Sequence, residues 1–265
     1  MEPALTLIGF GEAGSTFAVA AGWEGAARAW DILPARRQAM ADAGVVAAVE
    51  AATALAGVPL ALSLVTADAA LAAARAYAPL LAKGAIWCDM NSVAPETKRE
   101  AARAVEAAGG RYADVAVLAP VDPARMNVPL LVSGSCADEA AERLRAAGFA
   151  NVRTVGAEVG RASAIKMIRS VMVKGIEALT FEMMAGAEKA GVTGEVLASL
   201  DASEKVQGWT TRAAYNLERM TTHGARRAAE MEESAKTLEA LGIEPVMTRG
   251  TVQRQRAAAG KGLKQ

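Results

Sequence analysis

The chain has 265 residues, of which 52% are hydrophobic and 22% charged, and its 29 basic side chains are matched by 29 acidic ones. That length suits two domains of ordinary size with a substantial core, and the even charge balance excludes a chain-wide attraction to nucleic acid or to an anionic membrane. Cys88 and Cys136 stand far apart, without His or Cys neighbours at metal-ligand spacing, so neither a disulfide framework nor a metal site is expected. The opening MEPALTLIGF carries an acid where a secretion signal carries basic residues, and no apolar run reaches membrane-spanning length. The expectation is a cytoplasmic protein.

From Ala4 to about Gly156, short β-rich runs alternate with Ala-rich stretches of helical length. The strand candidates are ALTLIGF, ARAWDI, VPLALSLV, AIWCDM, YADVAVL, PLLVSG and NVRTVG, and segments such as Asp68 to Leu81 and Pro95 to Ala108 read as helices between them. This alternation predicts an α/β domain with a doubly wound parallel sheet. After Gly160 the strand signals cease. A long helix from about Ala162 to Ala190 is followed by at least two more before Gly242, THGARRAAEMEESAKTLEALG being the clearest, and the closing AAAGKGLKQ reads as frayed. The change of period places a domain boundary near Gly156 to Arg161, dividing the chain into residues 1–158 and an all-α C-terminal domain, 159–265.

The first strand runs into Gly9-Phe10-Gly11-Glu12-Ala13-Gly14, a G-x-G-x-x-G that opens a helix. In a strand-turn-helix the first glycine allows the tight turn, the second lets the backbone approach a pyrophosphate, and the third lets the helix pack close. The helix N-terminus then favours phosphate charge. Asp31 stands near the end of ARAWDI, 20 residues after Gly11, where an acid accepts hydrogen bonds from the adenosine ribose and repels a 2′-phosphate. A Rossmann-type domain binding NAD is expected, with NADP as the alternative because Arg36 and Arg37 follow closely. Gly9, Gly11, Glu12, Ala13, Gly14 and Asp31 are the candidate contacts. Val65 and Thr66, and Asn91 and Ser92, follow two further strands and are candidates for the nicotinamide ribose and its surroundings, although Thr66 and Ser92 read equally well as helix caps.

The long helix is apolar nearly all round between Ala162 and Phe181, so its charges require a reason. Lys166 and Ser170 lie four apart on one face and can project into one cleft. Hydride transfer from an alcohol needs a base for the hydroxyl proton, a role open to a lysine whose pKa is lowered by burial and a cationic nicotinamide. A lysine snorkelling to the surface explains the same residue.

These residues resemble the β-hydroxyacid dehydrogenases, which include 6-phosphogluconate and 3-hydroxyisobutyrate dehydrogenases. The resemblance is specific at Gly9 to Gly14, Asp89 to Pro95, Asp114 to Pro120 and Gly160 to Ser170, and THGARRAAEM is similar to a less characterised branch of 6-phosphogluconate-dehydrogenase-like proteins. The family pattern G-x-G-x-x-x-K-x-x-N-N falls on Gly160, Ala162, Lys166, Arg169 and Ser170, which implies that Lys166 is the catalytic lysine. Two asparagines are replaced by Arg169 and Ser170. The substrate loop D-A-P-V-S-G-G appears as Asp114-Val115-Ala116-Val117-Leu118-Ala119-Pro120, in which Leu118 has no hydroxyl and Pro120 no N–H.

The resemblance therefore implies an NAD(P)-dependent dehydrogenase acting on the CH–OH of a hydroxyacid-like or bulkier alcohol, with Lys166 as general acid and base. Leu118, Ala119, Ser170 and His223 are the candidate substrate contacts. His223, read as beginning a helix, is open to a solvated role as well. An imine reductase on the same scaffold and a non-catalytic dinucleotide-binding protein are the competing readings. The all-round apolar helix also predicts a homodimer, with Trp209, Tyr215, Met183, Met184 and Met220 in or near the interface.

Overall fold

The computed structural model describes residues 4–203 and 207–261. Eight strands, β1 (Leu5–Ile8), β2 (Ala27–Trp30), β3 (Val46–Ala47), β4 (Leu60–Ser63), β5 (Ile86–Asp89), β6 (Arg111–Val117), β7 (Leu130–Ser133) and β8 (Val152–Gly156), form one sheet in the order β3-β2-β1-β4-β5-β6-β7-β8. Helices α1 (Glu12–Ala21), α2 (Arg36–Asp42), α3 (Ala51–Leu55), α4 (Ala70–Tyr77), α5 (Pro95–Ala107), α6 (Val121–Ala124) and α7 (Ala137–Ala146) connect them. Then come α8 (Arg161–Ala190), α9 (Thr193–Ser203), α10 (Trp209–Ala240) and α11 (Val246–Ala258).

All seven expected strands are present, in an N-terminal Rossmann-type domain followed by a helical region. Two features of the sheet differ from the expectation. β3, only two residues long, was too short to leave a periodic signal and pairs at the edge with β2. The sheet is also not wholly parallel: β7 runs antiparallel to β6, and β8 is parallel to β7. The connection from Val117 to Leu130 holds only the four-residue α6 and a short 3-10 turn. A parallel return needs a full crossover, usually a helix covering a sheet face, whereas an antiparallel neighbour does not.

Strands buried on both faces alternate their side chains between two cores. Leu5 and Leu7, Ile86 and Cys88, and Ala113, Val115 and Val117 enter one core with Phe17, Met40 and Phe149. Ile8, Trp87 and Tyr112 enter the other with Leu55, Ala101 and Val105. Strand order reverses beside β1, with β2 on one side and β4 on the other, and the loops after β1 and β4 therefore open a crevice at the carboxyl edge.

Chain contacts divide into two units, Met1–Arg169 and Ser170–Gln265. In the second, α10 and α11 pack together, and Gly224 meets the Gln255 carbonyl so closely that a Cβ there would lie 2.4 Å from it. Two expectations for this region are corrected. α10 begins at Trp209, so His223 sits well inside a helix instead of starting one. The chain end is not simply frayed: Ala257 and Ala258 finish α11, and the Gly260 N–H donates to the Thr221 carbonyl at 3.0 Å. Residues 262–265 of that stretch lie outside the described residues. Among the described residues no helix is long and apolar enough to cross a membrane.

Candidate active site

The glycine motif folds as a turn between β1 and α1. Gly9 has φ +95°, and a Cβ on it would meet the Leu64 carbonyl at 2.6 Å; a Cβ on Gly14 would meet the Gly9 carbonyl at the same distance. Gly11 differs, since a Cβ there would find no protein atom within 4 Å. Gly11 is also the N-cap of α1, which no side chain caps, and α1 starts at Glu12, inside the motif. The first turn of a helix leaves N–H groups without intrahelical partners, and here they border open space.

Asp31 stands just past β2. Its carboxylate accepts the Phe10 N–H at 2.7 Å and the Leu33 N–H at 2.8 Å, which ties the end of β2 to the glycine turn. Arg36 and Arg37, at the start of α2, are exposed.

A cleft of about 510 Å³ opens at the carboxyl ends of β1, β4, β5 and β6. It brings together Glu12 and Ala13 from the glycine turn, Val65, Asn91, Ser92 and Ala119 from the later loops, and Lys166 from α8. Lys166 is half-buried, and its Nζ donates to Ser92 Oγ. Ser92 thus meets the lysine and does not cap α5, whose N-cap is Ala94 without a side-chain bond. Thr66 lies outside the cleft lining; its hydroxyl bonds Asp68, holding that carboxyl below its usual range. α4 begins later, with Ala69 as its N-cap and again no side-chain bond.

Leu118 does not line the cleft. Its N–H donates to the Pro129 carbonyl at 2.9 Å, and its own carbonyl accepts Arg169 Nη1 at 3.3 Å. With Pro120 lacking an N–H, this loop offers an incoming group fewer donors than the family's polar loop. Ser170 and His223 fall in the second unit, Ser170 half-buried at its first residue and His223 exposed on α10.

Behind the cleft lies a charged cluster that sequence reading missed. Lys98, Asp89 and Asp114 are all buried, with Lys98 Nζ 2.9 Å from Asp89 Oδ1 and 3.5 Å from Asp114 Oδ1. Asp114 Oδ2 accepts N–H groups of Gly160 (3.2 Å) and Ser163 (3.0 Å) at the start of α8, together with the Ser133 hydroxyl. Tyr112 donates its hydroxyl to Asp89 Oδ2 at 2.7 Å, and burial, reinforced by the Asp89 and Asp114 charges, raises its pKa well above the ordinary tyrosine value. A signal for Lys98 existed. It shares a face with Ala101, Ala102 and Val105 at i, i+3, i+4 and i+7, a lysine placed in the apolar stripe of an amphipathic helix.

Residues 4–159 match the family described as the NAD binding domain of 6-phosphogluconate dehydrogenase. The chain belongs to this family. Residues 187–258 match a second family, a domain of unknown function (DUF1932). Among solved structures, a conserved hypothetical protein from Sinorhizobium meliloti 1021 is 39% identical, with 100% of this chain and 91% of that one covered at a TM-score of 0.65. The conserved protein MTH1747, described as structurally similar to 3-hydroxyacid dehydrogenases, is 30% identical over 96% of each chain with a TM-score of 0.62. An imine reductase from Myxococcus stipitatus in complex with NADP+ is 22% identical over 97% of this chain and 94% of that one, with a TM-score of 0.80, and shares the fold. This member of the 6-phosphogluconate dehydrogenase NAD-binding family thus carries an NAD(P)-binding domain, on a fold shared with oxidoreductases, and a helical domain of a divergent branch.

Proposed function

We propose that the protein is an NAD(P)-dependent dehydrogenase that moves a hydride between the nicotinamide and the CH–OH carbon of a hydroxyacid-like or bulkier alcohol, with Lys166 as the acid–base group. The observation that carries this reading is Lys166 lining, with Ser92 as its hydrogen-bond partner, the same cleft as Glu12 and Ala13 of the glycine turn. The residues present fit a dinucleotide. Open space at Gly11 and the uncapped start of α1 suit a pyrophosphate, and Asn91 Oδ1 is a buried acceptor without a protein partner at the cleft.

In this reading the backbone of Gly11 to Ala13 holds the pyrophosphate, Asp31 the adenosine ribose, and Asn91 and Ser92 the nicotinamide ribose. The bound cofactor supplies the hydride acceptor or donor. Neutral Lys166 accepts the hydroxyl proton as the alcohol carbon gives up its hydride, and its ammonium returns the proton in the reverse direction. Ser92 orients the amine. The sparse donors of the loop from Leu118 to Pro120 favour a substrate that does not depend on that loop to hold a small carboxylate. NAD is the favoured cofactor, and the enzyme works as a cytoplasmic homodimer.

The test is cofactor reduction with NAD+ and NADP+ against hydroxyacids, aromatic alcohols and sugar acids, and cofactor oxidation against cyclic imines, for the wild type and Lys166→Met. We expect turnover of an alcohol, lost in Lys166→Met while dinucleotide affinity changes little. Alcohol turnover within tenfold of wild type in that variant sinks the mechanism, and turnover of imines alone assigns the cleft to C=N reduction.

A further inference from the structure

The buried ions behind the cleft take no direct part in this chemistry, yet their hydrogen bonds end at it. Lys98 Nζ donates to the Asp89 carbonyl at 2.6 Å as well as to Oδ1. The same Oδ1 accepts the Asn91 backbone N–H at 3.0 Å and Asn91 Nδ2 at 2.8 Å, and Ser63 Oγ lies 2.9 Å from Nδ2. An ionised carboxylate only accepts, so the Asn91 amide can face Asp89 only with its NH₂ end. Both of its N–H groups are thereby engaged. The Oδ1 atom is left buried and without a protein partner, in a residue that lines the cleft and is 6% exposed. A buried carbonyl oxygen is costly to leave unpaired, so the site is built for an incoming donor.

We propose that Lys98 is a positioning residue: by pairing with Asp89 it holds that carboxylate as an acceptor, which locks the Asn91 amide with its oxygen toward the cleft, where it selects a hydrogen-bond donor on the nicotinamide riboside half of the dinucleotide. The inference rests on reading the cleft as the dinucleotide site. Charge balance supports it. Lys98 serves Asp89 first, at 2.9 Å against 3.5 Å, and Asp114 has the N-terminal N–H groups and positive dipole end of α8 as its second partner.

Without Lys98, Asp89 still faces Tyr112 and Asp114 from β6 and the Cys88 thiol from its own strand, but no longer the α5 ammonium. A buried carboxyl that has lost its cation no longer fixes the amide as a donor toward it. The amide is then free to turn its NH₂ toward the cleft, and the acceptor is lost. Affinity for the dinucleotide in a Lys98 variant therefore falls.

The experiment measures NAD+ dissociation constants by calorimetry on the full chain, for the wild type, Lys98→Met, Asn91→Ala and the double variant, with circular dichroism on each to report folding. Asn91→Ala should weaken binding about tenfold. Lys98→Met should weaken it several-fold and add nothing in the Asn91→Ala background, which a merely structural role would not reproduce. Nicotinic acid adenine dinucleotide, which lacks the carboxamide N–H, distinguishes that donor from a ribose hydroxyl. Asn91→Ala binding within twofold of the wild type overturns the proposal, even where Lys98→Met fails to fold. A folded Lys98→Met that binds like the wild type, or whose loss adds in full to that of Asn91→Ala, overturns it too. A wild type that binds neither NAD+ nor NADP+ instead sinks the reading of the cleft.

Discussion

Gly9, Gly11 and Gly14 share one motif but answer to different neighbours. A methyl group on Gly14 would press on the Gly9 carbonyl, and one on Gly9 would press on the Leu64 carbonyl while holding a backbone angle that side chains disfavour. A methyl on Gly11 would touch nothing in the protein. Gly14→Ala should therefore lower the melting temperature, whereas Gly11→Ala should melt like the wild type and bind the dinucleotide at least tenfold more weakly. Thermal melts paired with NAD+ titration check both, and equal NAD+ affinity in Gly11→Ala would remove the pyrophosphate from this turn. At Asp31 the issue is charge. A fixed carboxylate beside the glycine turn disfavours a 2′-phosphate, so catalytic efficiency should be higher with NAD than with NADP. A strong NADP preference would transfer control to Arg36 or Arg37.

Among the described residues, α8 and α11 start on a carboxylate supplied by another element. Asp114 of β6 receives N–H groups at the start of α8, and Glu182 of α8 receives the Met247 N–H at 2.8 Å, the Thr248 N–H at 2.9 Å and the Thr248 hydroxyl at 2.6 Å at the start of α11. Neither helix carries its own Ser, Thr, Asp or Asn immediately before it, so the sequence shows no cap at these points. Burial alone would raise the Glu182 pKa, but the hydrogen bonds from Thr248 and the backbone N–H groups outweigh it and hold the carboxyl below its ordinary value. A depressed folded value adds stability above the unfolded value, and that stability is lost as the pH falls through the folded one. Glu182→Ala should cost about 1–2 kcal/mol near neutral pH. The deficit should shrink below about pH 4, where the wild-type carboxylate of ordinary pKa is protonated in the unfolded chain. Denaturant melts at both pH values check this; a deficit that grows on acidification would contradict the assignment.

For the whole molecule, the helical unit leaves large apolar and aromatic side chains in water. Val171 is 76% exposed, Phe181 78%, Trp209 55% and Tyr215 52%, and each of the last two has an arginine of its own helix over its ring, Arg212 at 5.4 Å and Arg219 at 5.5 Å. Aromatic residues and arginine on an apolar face are the composition of an interface core. A second copy of this chain is the expected cover. Light scattering at low micromolar concentration should report about twice 27.3 kDa, and truncation after Ala190 should leave an insoluble or inactive protein. An active monomer would mean that these side chains remain in water.

Much of the dinucleotide-binding architecture was legible because its signals are local. Runs such as LTLI, LALS and IWCD are largely apolar and buried on both faces, and the glycine turn after β1 and the acid after β2, both read from local sequence, are joined in the fold by the Phe10 N–H to Asp31. Lys166 stood out as a charge on an apolar helix and by its spacing from Gly160 in a known pattern, and the fold places it at the cleft. Tertiary structure alone decided the rest. The reversal of β7 depends on a connection without a crossover helix, the position of His223 on where α10 begins, and the cap of α11 on a residue 65 positions away from Met247. The Lys98 cluster is the clearest case: Asp89, Lys98 and Asp114 come from a strand end, a helix and the next strand. Lys98 interrupts the apolar stripe of its helix, but nothing local names its partners, and only burial in one place makes the pairing obligatory.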